Sequence, residues 1–151
     1  MAIIRGKLEF QNVIGMHTRC TYGEWQEKAM QLRALIIKNN LFITGPIIIS
    51  WDNIDEITKE ADAFIYLPVY QKIHMDDNDI FSFQESFCIK DGLKIRHSEV
   101  SDDVSSTEAL LQIMAEKADI KIKKPYYYIY LPVFQDYVID IYAPISEGEK
   151  A

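Results

Sequence analysis

From Ile3 to about Cys20 apolar and β-branched residues dominate with no helical period; from Trp25 the period changes, and Trp25, Ala29, Leu32 and Ile36 recur at helical spacing with Leu35 beside them. The first pattern predicts an extended segment, with a bulge near Asn12 or Gly15. The second predicts a helix. Thr21-Tyr22-Gly23-Glu24 has the Thr-x-x-Glu form of a capping box at its start, and Asn39 and Asn40 suit its end. Two strands follow near 46–51 and 62–69, joined by the acidic loop Asp52 to Asp62.

The same order then returns. Strands near 81–90 and 93–100 are separated by Asp91-Gly92, a hairpin signal. Ser105-x-x-Glu108 is a second capping box, and Leu111, Met114, Ala115 and Ala118 form one apolar helix face. Strands near 125–133 and 137–143 close the chain. Pro46 and Pro125 stand 125 − 46 = 79 positions apart, and that offset matches Leu41 to Ile120, Ile43 to Ile122 and Leu32 to Leu111. "FIYLPV" (64–69) resembles "DIYAPI" (140–145), with the prolines at 144 − 68 = 76. The expectation is one domain over 1–151: repeat one about 3–70, an acidic linker about 71–80, and repeat two about 81–146. Its class is α+β, built from two tandem β-α-β-β repeats with an antiparallel sheet, helices on one side, and a pseudo-twofold axis with a central cleft.

Composition narrows the function. The 151 residues carry a net charge of −7, which disfavours a nucleic-acid surface. The one basic cluster is Lys121, Lys123 and Lys124. No apolar run approaches the roughly 20 residues of a membrane span. The N-terminus lacks a signal-peptide core, so the expected location is cytoplasmic. Cys20 and Cys88 form no CxxC pair and read as free thiols. His17, His74 and His97 have no metal-ligand spacing, and nucleophile-elbow, Walker and GxGxxG motifs are absent. No cofactor, metal or enzymatic activity is therefore expected.

The chemistry concentrates in "PYYYIYLPVFQDYVIDIYAPI" (125–145). Strand side chains alternate, so Tyr126, Tyr128 and Tyr130 share one face, and Tyr127, Ile129 and Leu131 the other. The more apolar set suits a helix-covered face. The all-tyrosine set suits a half-wet cleft, where each phenol keeps a polar tip. Trp51 is the counterpart of Tyr130 and joins the expected aromatic wall. Tyr66 and Tyr142, equivalents in the last strands, would cap the cleft, and Asp140 would supply an acid. The alternative is cross-strand aromatic packing with no pocket.

The double β-α-β-β order, the proline-led aromatic strand and the endings "IYLPV" and "IYAPI" resemble the GyrI-like effector-binding domain over about residues 3–146. That resemblance implies a cleft between repeats that binds small, often cationic, aromatic molecules; some relatives act on proteins, and some are hydrolases. The family often carries a glutamate in a Phe-Glu-x-Tyr pattern, and here Tyr128 stands at that position. The expected function is a stand-alone small-molecule binding module for an apolar or aromatic ligand, cationic ones included, without its own DNA-binding segment. The alternative is an acidic interaction protein meeting a basic partner through the stretches 52–62, 75–80 and 98–103.

Overall fold

The structure, a computed structural model, describes residues 2–76, 78–98, 103–133 and 136–146. Its elements are α+β: strand β1 (Ile3–Thr21), helix α1 (Trp25–Lys38), strands β2 (Ile47–Asp52), β3 (Glu60–Pro68) and β4 (Phe81–His97), helix α2 (Ser105–Lys117), and strands β5 (Tyr127–Val133) and β6 (Asp136–Pro144). The chain divides into two compact units. The first is Glu9–Phe87; the second is Cys88–Ala151 together with Met1–Leu8. The two long strands β1 and β4 thus each contribute to both units, and the divisions fall inside strands instead of in the linker.

In the first unit β3 lies between β1 and β2, antiparallel to both, with Met16 opposite Ile65 and Ile49 opposite Ile65. Helix α1 buries Trp25, Ala29, Leu32 and Ile36, the stripe read from the sequence, and packs against β3. In the second unit β6 lies between β4 and β5 in the same antiparallel manner, with Ile95 opposite Ile141 and Tyr128 opposite Ile141. Its core joins Leu111 and Ala115 of α2 to Leu93, Ile95, Ile139, Ile141 and Ala143. Alternating sheet positions and a 3.6-residue helical stripe meet here, which is how each unit removes apolar surface from water.

Several backbone hydrogen bonds recur at corresponding positions in the two units. Thr44 N donates to Pro68 O, and Lys123 N to Pro144 O; Val69 N donates to Asn12 O, and Ile145 N to Asp91 O. The bridges Ile43–Val69 and Ile122–Ile145 hold the same relation. Both helices end on a residue in the left-handed region, Asn40 (φ 61°) and Asp119 (φ 57°). Asn12 also adopts a left-handed φ of 55°, at the place expected for a bulge.

Three local expectations change. The capping carboxylate of Glu24 does reach back, accepting from Thr21 N at 2.9 Å and Thr21 Oγ1 at 3.0 Å, but in the turn preceding α1. The second capping box does not form. Asp103 accepts from Ser105 N and Ser105 Oγ instead, and Glu108 turns elsewhere. Asp91-Gly92 is not a hairpin: β4 runs straight through it. Gly92 is needed for close approach, because a Cβ there would overlap the Tyr142 ring.

Candidate functional site

The face assignment of β5 is the main correction. Tyr126 and Tyr128 point toward α2, not away from it. Tyr126 is 6% exposed, and its hydroxyl accepts from Gln112 Nε2 at 3.1 Å. The Tyr128 hydroxyl donates to Glu108 Oε2 at 2.5 Å. Tyr130, at the open end, meets Tyr137 edge-on with centroids 5.2 Å apart. The physical reason lies in α2: beside Leu111 and Ala115 it offers Glu108 and Gln112 to the sheet, so phenols with polar tips fit under its margin. Ile129, on the opposite face, is buried and paired with Asp140.

The seven residues expected at one site are spread over both units and, within the second unit, over both faces of the sheet. Tyr126, Tyr128 and Tyr130 come together on the helix-facing side of the second unit. Trp51 lies on the helix-facing side of the first unit, opposite Ala63, with its ring 5.5 Å from that of Tyr22. Tyr66, Tyr142 and Asp140 lie on faces turned from the helices. Tyr66 packs at 4.9 Å against Phe87 and crowds Gly15.

Tyr142 is a strut of the second unit. Its hydroxyl donates to the Gly6 carbonyl at 2.7 Å, and its ring covers Gly92. Burial, with Asp91 adding repulsion, pushes this phenol up to about 12. Asp140, 3% exposed, accepts from Arg96 Nε at 2.7 Å and Nη2 at 3.1 Å, a two-point pairing that keeps the guanidinium charged.

What sequence reasoning missed is Glu108. Read as a cap, it is the carboxylate that meets Tyr128. The one signal for this was Asp103, two residues before Ser105, whose carboxylate accepts from Ser105 N in place of Glu108. Glu108, Tyr128, Tyr130 and Tyr137 are all part-exposed. They place an acid at the end of a run of rings whose faces attract cations.

Elsewhere, Cys20 is buried and Cys88 exposed, both free, and burial pushes the Cys20 thiol up. His97 is buried with Nδ1 2.8 Å from Thr107 Oγ1, and His17 pairs with Asp62 at 3.2 Å. Among the described residues no three His, Cys, Asp or Glu side chains cluster to hold a metal, and no helix is long and apolar enough to cross a membrane. In the acidic loop, Asp55 accepts from Ile57 N and Thr58 N, while Asp62 is held by Asn53, His17 and Arg19. Asp76 and Asp79 are exposed; Asp77 and most of 98–103 lie outside the described residues.

A profile of DUF5085, a domain of unknown function, matches residues 9–147. No protein of curated function matches the chain. Among solved structures, the C-terminal domain of EcmrR gives a TM-score of 0.70 at 12% identity, over 97% of this chain and 99% of that one. A hydrolase from Listeria innocua gives 0.63 at 11% identity, over 95% and 91%. SAV2435 bound to tetraphenylphosphonium gives 0.55 at 10%, over 99% and 96%. At these identities the likeness is one of fold.

Proposed function

The chain belongs to the DUF5085 family, and we propose that it serves as a small-molecule binding module of the GyrI-like effector-domain type. The observation that carries this reading is the Tyr128–Glu108 contact at the end of the Tyr128–Tyr130–Tyr137 wall. The acid absent from β5 is supplied from α2, so the wall combines ring surface with a negative charge. An apolar aromatic cation is the ligand class this chemistry fits. Burying its rings contributes about 25 cal/mol per Å², before the cost of ordering. The fold is shared with SAV2435, which was solved with such a cation. We read the hydrogen bonds shared at offsets of 79 and 76 as the trace of a tandem duplication.

The test is a titration with tetraphenylphosphonium followed by intrinsic fluorescence. The wild-type protein binds; Glu108→Gln weakens binding about ten-fold, and Tyr128→Phe less, since the ring face remains. No binding, or equal binding by wild type and Glu108→Gln, overturns the site. The alternative, an acidic surface for a basic partner, draws less support, because Asp55 and Asp62 are committed to contacts within the first unit.

A further inference from the structure

The first unit contains a cavity of about 390 Å³ that shares no residue with the tyrosine wall. Its lining is Ile14 of β1, Leu35, Ile36 and Asn39 at the end of α1, Leu41, and then Ile73, Met75 and Phe81. The last three come from the linker and the start of β4, a stretch whose composition reads as polar surface. The linker is tethered at both ends. Gln71 Oε1 accepts from Phe42 N at 3.1 Å, and its Nε2 donates to Asn40 O at 3.4 Å. At the far end Ile80 O accepts from His17 N at 2.7 Å, and Asn78 Oδ1 accepts from Ile80 N and Phe81 N, each at 2.8 Å. Lys72 pairs with Glu85 between linker and strand. These polar anchors make the described linker residues, 71–76 and 78–80, a strap beside the end of α1, with Ile73 and Met75 in the cavity wall.

We propose that this cavity is a binding site for a neutral, predominantly apolar small molecule carrying one hydrogen-bond donor. Its volume falls in the range of about 300–1,000 Å³ usual for ligand pockets. Seven of its eight lining residues are apolar and none is charged, so a charged ligand would lose its hydration with no partner. Among the described lining residues Asn39 is the only polar side chain. Its Nδ2 donates to Leu35 O at 2.8 Å, which leaves the Oδ1, an acceptor, to orient a ligand hydroxyl or N–H. The proposal does not rest on the cation site.

The test uses N-phenyl-1-naphthylamine, a neutral dye with one N–H, whose fluorescence rises in apolar surroundings. The full chain should give a saturable rise with one site. 1-Decanol should displace the dye, and decanoate at pH 8 should do so about ten-fold more weakly or worse. Leu35→Trp and Met75→Trp fill the space from an exposed helix position and from the strap; each should weaken dye binding about ten-fold while leaving thermal stability near wild type. Glu108→Gln should leave dye binding unchanged. Absence of a saturable rise, a rise unaffected by both tryptophan variants, or equal displacement by decanol and decanoate overturns the assignment.

Discussion

The two units share a set of backbone hydrogen bonds and carry different side chains at corresponding places. Arg96 opposite Asp140 in the second unit is an ion pair; the same register position in the first unit is His17 opposite Phe64, stacked rings 4.6 Å apart and 5° from parallel. At the end of each helix the contrast runs the other way. The first unit exposes Ile37, Phe42 (69% exposed) and Tyr70 (74%), where the second has Glu116, Lys121 and Ser146. Ladder pairing and the helix stripe set the scaffold, and the scaffold tolerates ion pair or ring stack alike. Specific chemistry is therefore to be sought where the units differ: Glu108 beneath a tyrosine strand in one, Asn39 and the strap in the other.

The comparison breaks most visibly in the cores. Leu32 and Leu111 are equivalent and fully buried, so Leu32→Ala and Leu111→Ala should each cost about 2–5 kcal/mol in denaturant unfolding. A cheap substitution on one side only would end the equivalence. Arg96→Ala strands the buried Asp140 carboxylate and should cost about 1–3 kcal/mol, reduced from a fully buried pair because the Arg96 side chain is exposed and screened by solvent. The matching His17→Ala should cost less than about 1 kcal/mol.

The units should also diverge with pH. The folded Tyr142 phenol is raised to about 12, above the unfolded value near 10. Its contribution is complete below that unfolded value and is lost as pH climbs toward the folded one. Tyr142→Phe should flatten the alkaline fall in stability, at a cost of about 1 kcal/mol at neutral pH. On the acid side, Asn53, His17 and Arg19 hold Asp62 below its ordinary range, so the first unit loses that contribution as pH falls through the depressed value. Smallest of all, Phe42→Lys, which copies the second unit's Lys121, should shift stability by no more than about 0.5 kcal/mol.

Much of the scaffold was legible because it is local. The spacing of Trp25, Ala29, Leu32 and Ile36 marks the buried side of α1, and the proline-ended strands β3 and β6 occur where the apolar runs predict. What was illegible depended on distant partners. Asp91-Gly92 has hairpin chemistry, yet the Tyr142 ring needs the space over Gly92, and tertiary packing overrides the turn. The tyrosines of β5 alternate as expected, but which face meets α2 depends on Glu108 and Gln112, about twenty positions away in the case of Glu108. Hydrophobicity alone favoured Ile129 and Leu131 for that side. The cavity of the first unit was hidden because Ile73 and Met75 stand in a linker whose charges dominate its composition.

The most direct test of the central claim is a crystal structure of the protein grown with tetraphenylphosphonium. The account predicts the cation against the faces of Tyr128 and Tyr130 with its charge toward the Glu108 carboxylate. A cation bound elsewhere, with Tyr128 still donating to an unapproached Glu108, would contradict it.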